Sequence, residues 1–387
     1  MKPAAVLLLA AFPFAAIAQP PAALDGRTLS ISTLNNRIEA LMRANSVPGL
    51  GLAIIRDHTS WIHAYGVRNA KTGLPLTPQT VMYAASLTKA TFAYMVMQLV
   101  DEKRIDLDRP IAEYLPQPLP NYPKYADLAN DNRWRQLTFR TLLDHTSGFA
   151  NFRQLEPDGK LKFHSDPGTH YAYSGEGLNL AQFVLENGLG LDIAKEMQRR
   201  VFDPLAMKRT SMSWRDDFGD DVADFHLENG DIVPHSHRRN VSAAGSMDTT
   251  LADWAHFLAV VIGGQGLSPV SKAEMIRLQI PIDSAVQFPT LSAATTDEYK
   301  PIHLGYGLGW GVFETPFGHA FFKEGHDDGT ANYALCVEPR RACVLLLSNS
   351  VRAEGIFKAV VDEVMGDVHL PWKWEGYTPY GLAPVAR

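Results

Sequence analysis

The chain has 387 residues, 46% of them hydrophobic and 20% charged, with a formal net charge of −6. That apolar share suits a large core and excludes disorder, which needs low hydrophobicity and high net charge. Acidic and basic residues are scattered, so no Lys/Arg run points to a nucleic-acid partner or a membrane surface.

The first residues read as a secretory leader. Lys2 gives a positive start, Ala4 to Ala18 is apolar, and Ala16-Ile17-Ala18 is a small-residue cleavage site before Gln19. The run is shorter than the roughly 20 residues a membrane span needs, and Pro13 interrupts it. Cleavage near Ala18 and a secreted or periplasmic mature chain are expected. No later segment is apolar enough to span a bilayer, so no stable membrane span is expected in residues 19–387.

Ser32 can cap a helix with Leu34, Ile38, Leu41 and Met42 on one face. Leu50 to Ile55 and Trp61 to Val67 read as two strands around a polar turn. Ala84 to Lys103 reads as a long helix, apolar on most faces and therefore buried. Further helical patterns lie at Leu178–Glu186, Ile193–Val201 and Leu251–Ile262. Strand signals return at Tyr306–Phe313, Tyr333–Val337 and Ala342–Leu347, before a helix at Gly355–Met365. Strands at both ends with helices between predict one sheet built from the two ends of the chain, with a helical lobe inserted. The expected α/β lobe is about 30–84 and 300–366, and the helical lobe about 85–299, all in one catalytic domain over 19–387. Gln117–Gln136 and Pro281–His303 read as long loops, and the tail from Leu370 as extended. Cys336 and Cys343, the only cysteines, flank a turn at Glu338–Arg341. A turn centred between Pro339 and Arg340 would place them directly opposite on paired strands. Both a cross-strand disulfide and two buried thiols fit that pattern.

Three short motifs can carry chemistry. In Ser86-Leu87-Thr88-Lys89 the serine and lysine share one helix face. A lysine whose pKa is lowered by burial and nearby positive charge can take the serine proton. Tyr173, in Pro167–Gly175, could titrate low beside cationic lysines and shuttle a proton to a leaving group. Lys323-Glu324-Gly325, just before an expected strand, offers a cation for a substrate carboxylate and a glycine for close backbone approach.

The order S-x-x-K, Tyr-Ser, K-x-G resembles the serine β-lactamase and penicillin-binding-protein superfamily. It is most similar to the branch of class C β-lactamases, D-alanyl-D-alanine carboxypeptidases, D-aminopeptidases and related esterases. The resemblance runs from about Leu34 to Met365. It includes Val47-Pro48-Gly49, Ile105–Pro110, Tyr114-Leu115-Pro116, Leu142–Gly148, Asp203–Met207, Ala244-Gly245-Ser246 and Tyr306–Trp310. It implies an α+β fold with an antiparallel sheet, flanked by helices, beside a mainly helical lobe. It further implies Ser86 as nucleophile, Lys89 as base, Tyr173 as proton donor to the leaving group, and Lys323 as a substrate-orienting cation. The backbone N–H groups of Ser86 and His326 would form the oxyanion hole. No cofactor or metal is implied.

The chain departs from the family pattern in three places. Gly175 stands where Asn is usual, with Glu176 next to it as a substitute. Glu324 stands where Thr is usual, and Asp327 and Asp328 follow. Glu176, Glu324, Asp327 and Asp328 could bring negative charge to the pocket and favour a substrate with a free amine. His145 resembles a triad base, but its segment is structural in the resembled family. His235 and His237 lack a spaced partner for a metal and read as an exposed loop. The implied function is a secreted serine hydrolase acting on a small amide or ester, such as a β-lactam or D-amino-acid peptide. The alternatives are a carboxylesterase without β-lactam turnover and a non-catalytic penicillin-binding or cell-wall-sensing protein.

Overall fold

The computed structural model describes residues 15–57 and 59–377. Most of the expected leader and the last ten residues of the tail lie outside them. Among the described residues, no helix is long and apolar enough to cross a membrane.

The fold is α+β. Helix α1 (Ile31–Asn45) buries Leu34, Ile38, Leu41 and Met42, the face its spacing predicts, but its N-cap is Ser30 rather than Ser32. Strands β1 (Gly49–Arg56) and β2 (Thr59–Asn69) form the expected hairpin. Helix α2 (Leu87–Asp101) carries Lys89, α3 (Gly175–Leu189) follows Tyr173, and α4 (Leu251–Gly263) touches α2 through Trp254 Nε1, which donates to Thr91 Oγ1 at 3.2 Å. The chain then returns through β3 (Gly311–Thr315), β4 (Gly318–Asp327), β5 (Thr330–Val337) and β6 (Ala342–Ser348) to helix α5 (Glu354–Met365).

In the sheet the order is β2-β1-β6-β5-β4-β3, so the two ends of the chain meet where β1 pairs with β6. All these pairs are antiparallel. Side chains alternate between two cores, as the two-residue period of a strand requires. Leu52, Ile54, Leu335, Val344 and Leu346 pack with α1 and α5 on one face. Ala53, Ile55, Ala334, Leu345 and Leu347 pack with α2 and α4 on the other. A sheet covered on both faces explains why its strands read as nearly continuous apolar runs. Cys336 and Cys343 are directly opposite in register and joined by a disulfide.

Several expectations change. The motif Lys323-Glu324-Gly325 lies inside β4, not before a strand. The run Tyr306–Phe313 is two strands, broken where Gly309 takes φ +81° and Gly307 N–H donates to Trp310 O at 2.8 Å. The stretch Gln117–Gln136 is largely short 3-10 turns. The described tail is not extended. It folds into turns that bury Trp372, Trp374, Glu375 and Tyr377 against the sheet and helix core.

Candidate active site

The turn before α2 is tied to a segment far along the chain, just before α4. Met82–Tyr83 pairs with Asp248–Thr249, and Ala84 N–H donates to Met247 O at 3.0 Å. Thr88 Oγ1 donates to Ala85 O at 2.6 Å and accepts from Met247 N–H at 3.1 Å. Ala85 is held at φ +46°, a left-handed conformation that costs a β-carbon residue on the order of 1–3 kcal/mol. Ser86 follows at the helix N-cap position, yet its hydroxyl makes no capping bond. It meets Lys89 instead.

Lys89 Nζ donates to Ser86 Oγ at 2.8 Å and to Ala244 O at 2.6 Å, and the residue is 1% exposed. Burial is the largest force on its pKa, and the Lys323 charge adds to it. Together they push it well below the lysine range, with Glu324 opposing. An amine with so lowered a pKa, 2.8 Å from a hydroxyl, has the geometry a general base needs. The Ala244 carbonyl supplies a role for the Ala244-Gly245-Ser246 segment, whose spacing alone announced none.

Tyr173 lies under both lysines. Lys89 Nζ is 4.8 Å and Lys323 Nζ 4.9 Å from its ring centroid, and Lys323 Nζ donates to its hydroxyl at 3.2 Å. Its phenol nonetheless titrates well above the usual range, because burial and the Glu324 carboxylate outweigh the interaction with Ser86. The shift runs opposite to the expectation of a tyrosine that titrates low. His145 brackets Tyr173. Ala172 N–H donates to His145 O at 2.9 Å and Ser174 N–H to His145 Nδ1 at 3.0 Å. The imidazole lies tilted, 4.3 Å from the Tyr173 ring centroid, and burial is the largest force lowering its pKa well below the usual value. His145 is thus bonded to the backbone on both sides of Tyr173.

Lys323 is fully buried. Its ammonium donates to Glu324 Oε1 at 2.6 Å. Beyond the pair Gly311–Phe322, strand β3 no longer covers β4, so Lys323 and Glu324 meet around an open strand edge. Gly325 fits its expected use. A β-carbon there would stand 2.6 Å from Ala84 O, so only glycine lets β4 press its edge, with His326 next, against the Ser86 turn.

The other acidic residues are not gathered there. Glu176 gives both carboxylate oxygens to Arg153, at 3.1 and 3.0 Å, and its Oε1 also accepts Arg153 N–H at 3.0 Å. Asp327 and Asp328 are exposed. Only Glu324 is at the site, and its charge is balanced by Lys323. The place of the family's Asn is filled as well: a β-carbon at Gly175 would lie 2.4 Å from Phe152 Cε1. His326 bonds Glu354 through Nδ1. His235 is buried on Asp248 at 3.0 Å, not in an exposed loop, while His237 is exposed and stacks on Trp214. Among the described residues, no group of three or more His, Cys, Asp or Glu could hold a metal ion. Gln287 and Phe288 were hidden in an irregular loop. Gln287 Nε2 donates to Glu324 Oε1 at 3.1 Å, and the Phe288 ring stands 5.5 Å from Tyr173.

A family model described as Beta-lactamase matches residues 34–361. The chain is 25% identical to penicillin-binding protein 4 of Amycolatopsis lactamdurans, over 86% of this chain and 88% of that one. It is 24% identical to a beta-lactamase of Pseudomonas fluorescens, over 85% and 88%. A D-aminopeptidase of Gluconobacter oxydans is 25% identical over 46% of this chain and 35% of its own. Among solved structures, a class C beta-lactamase mutant superposes with a TM-score of 0.68 at 16% identity, covering 86% of this chain and 96% of that one. The D-alanine carboxypeptidase AmpC from Burkholderia cenocepacia gives 0.67 at 19%, over 86% and 97%.

Proposed function

The chain belongs to the Beta-lactamase family and is a serine hydrolase of that superfamily, and on that premise we propose that Ser86 is its nucleophile, forming an acyl-enzyme with a small amide or ester. The uncharged Lys89 amine takes the Ser86 proton as Oγ bonds to the substrate carbonyl carbon. The carbonyl electron pair moves onto oxygen, facing the backbone N–H groups of Ser86 and His326. The bond to the leaving nitrogen or oxygen then breaks. Tyr173 gives that atom its proton, and the proton held on Lys89 restores the phenol. A water then attacks the acyl carbon, passes a proton to the same Tyr173–Lys89 pair and releases the acid. The proton returns to Ser86 Oγ.

One observation carries this reading: a lysine 1% exposed, 2.8 Å from the serine hydroxyl, with a hydroxyl and a carbonyl rather than a carboxylate as its partners. A second reading, a carboxylesterase without β-lactam turnover, is favoured by Phe152, whose ring stands where the family's amide-contacting Asn would begin. The names of the relatives allow a third, a penicillin-binding protein that does not turn over.

Incubation with a fluorescent penicillin and, separately, a fluorophosphonate probe distinguishes them. The proposal expects the fluorophosphonate to label the chain and a nitrophenyl ester to be turned over. A penicillin label that persists without ester turnover would mark a binding protein. No label and no turnover would refute the serine mechanism.

A further inference from the structure

Lys323 has a partner of its own, and that partner is locked. Glu324 Oε1 is 2.6 Å from Lys323 Nζ and also accepts from Gln287 Nε2 at 3.1 Å. Gln287 is itself buried, and its backbone N–H donates to Trp374 O at 2.8 Å. Glu324 is 4% exposed and Lys323 fully buried, so neither side chain swings out into water. A second Lys323 donor goes to the Tyr173 hydroxyl at 3.2 Å. That hydroxyl faces the leaving group in the proposed reaction, so the ion pair sits on the leaving-group side.

We propose that Glu324 makes Lys323 an internal ion pair and thereby turns this site against substrates with a carboxylate on the leaving group, selecting esters or amides whose leaving group is uncharged. The inference rests on the serine-hydrolase reading of Ser86 above.

Three physical points support it. The pair has no net charge, so it offers an anionic group no net attraction. A substrate carboxylate that took Lys323 would strand Glu324 as a buried, unpaired charge, which is strongly unfavourable. Glu324 Oε2 is already buried without a hydrogen-bond partner, so a second carboxylate close by would meet direct repulsion in a dry setting. The neighbouring surface agrees. Phe288, which is exposed, stands edge-on to Tyr173, a wall suited to an apolar alcohol or amine fragment.

The test uses two esters of one acyl group, a phenyl ester and a 3-carboxyphenyl ester, whose leaving groups differ little in basicity. For the wild-type chain kcat/KM is expected to be at least about tenfold higher for the phenyl ester, the scale of a like-charge contact in a partly dry cleft. Glu324→Thr and Glu324→Gln should shrink that ratio about tenfold or invert it. A wild-type chain that prefers the carboxylate ester, or variants that turn over both esters at the wild-type ratio, would overturn the proposal while leaving the Ser86 mechanism standing. If the variants do not fold, the wild-type ratio alone decides. Neither ester hydrolysed, with Ser86 unmodified by intact mass, would overturn the mechanism and this proposal together.

Discussion

The start of α2 and the open edge of β4 each bury a lysine at Tyr173, and they treat it in opposite ways. Lys89 is surrounded by a serine hydroxyl and a backbone carbonyl, with no carboxylate bonded to it. Lys323 has Glu324 at 2.6 Å. Burial lowers both pKa values, but Glu324 opposes the fall at Lys323 through charge and a hydrogen bond. At Lys89, Lys323 adds to the fall. The downward shift is therefore the deeper one at Lys89. Under the proposed mechanism, two buried lysines in one cleft take different roles, base and fixed charge, because their partners differ.

The largest expected effect comes from breaking the uncharged side. Lys89→Arg puts a permanent cation there, one that cannot give up its proton at working pH. kcat/KM on a nitrophenyl ester should fall on the order of 10²-fold or more, the usual scale for loss of a general base. Activity close to wild type would show that another group takes the Ser86 proton.

A smaller effect sharpens the same contrast. The base works when deprotonated, so kcat/KM should rise with pH as Lys89 loses its proton, well below the ordinary lysine range. Lys323→Met removes the charge that depresses Lys89 and leaves the Glu324 charge that raises it. Removing that charge raises the Lys89 pKa, so the acid limb should move to higher pH. The groups around Tyr173 titrate as a set, and the limb is read as the set's apparent value. Burial, the largest force on His145, lowers its pKa well below the usual imidazole value in both chains. A limb that stays in place in a pH profile of Lys323→Met, or moves down, would contradict the division of roles.

Much of this was legible before any coordinates. The spacing of Leu34, Ile38, Leu41 and Met42 located α1, and the unbroken apolar run after Ser86 located a helix buried on nearly all sides. The turn at Glu338–Arg341 set the register that places Cys336 opposite Cys343. What stayed hidden has a common cause: a local pattern overridden by a distant partner. Strand β4 breaks its alternation with Lys323 and Glu324, which are buried only because they pair with each other and with Tyr173 and Gln287. The tail rich in Pro, Gly and Trp reads as extended, yet Trp372 packs tilted and Tyr377 edge-on against Tyr333, and Tyr333 OH donates to Glu375 at 3.0 Å. Glu176 followed the Tyr173 motif closely enough to look like a site residue, but Arg153, 23 residues earlier, claims it. Tyr173 was found by its motif, while its protonation state depended on burial and on Glu324, neither readable from neighbours in sequence.

The central claim is that Ser86 carries the acyl group. Its hydroxyl makes no helix-capping bond, so Ser86→Ala should fold like wild type by circular dichroism and thermal melting. The direct measurement is peptide mapping by mass spectrometry after a brief reaction with a fluorophosphonate or a slowly released ester. The account predicts one adduct, on the peptide containing Ser86, and neither adduct nor ester hydrolysis in folded Ser86→Ala. An adduct on another residue, or hydrolysis retained by Ser86→Ala, would contradict it.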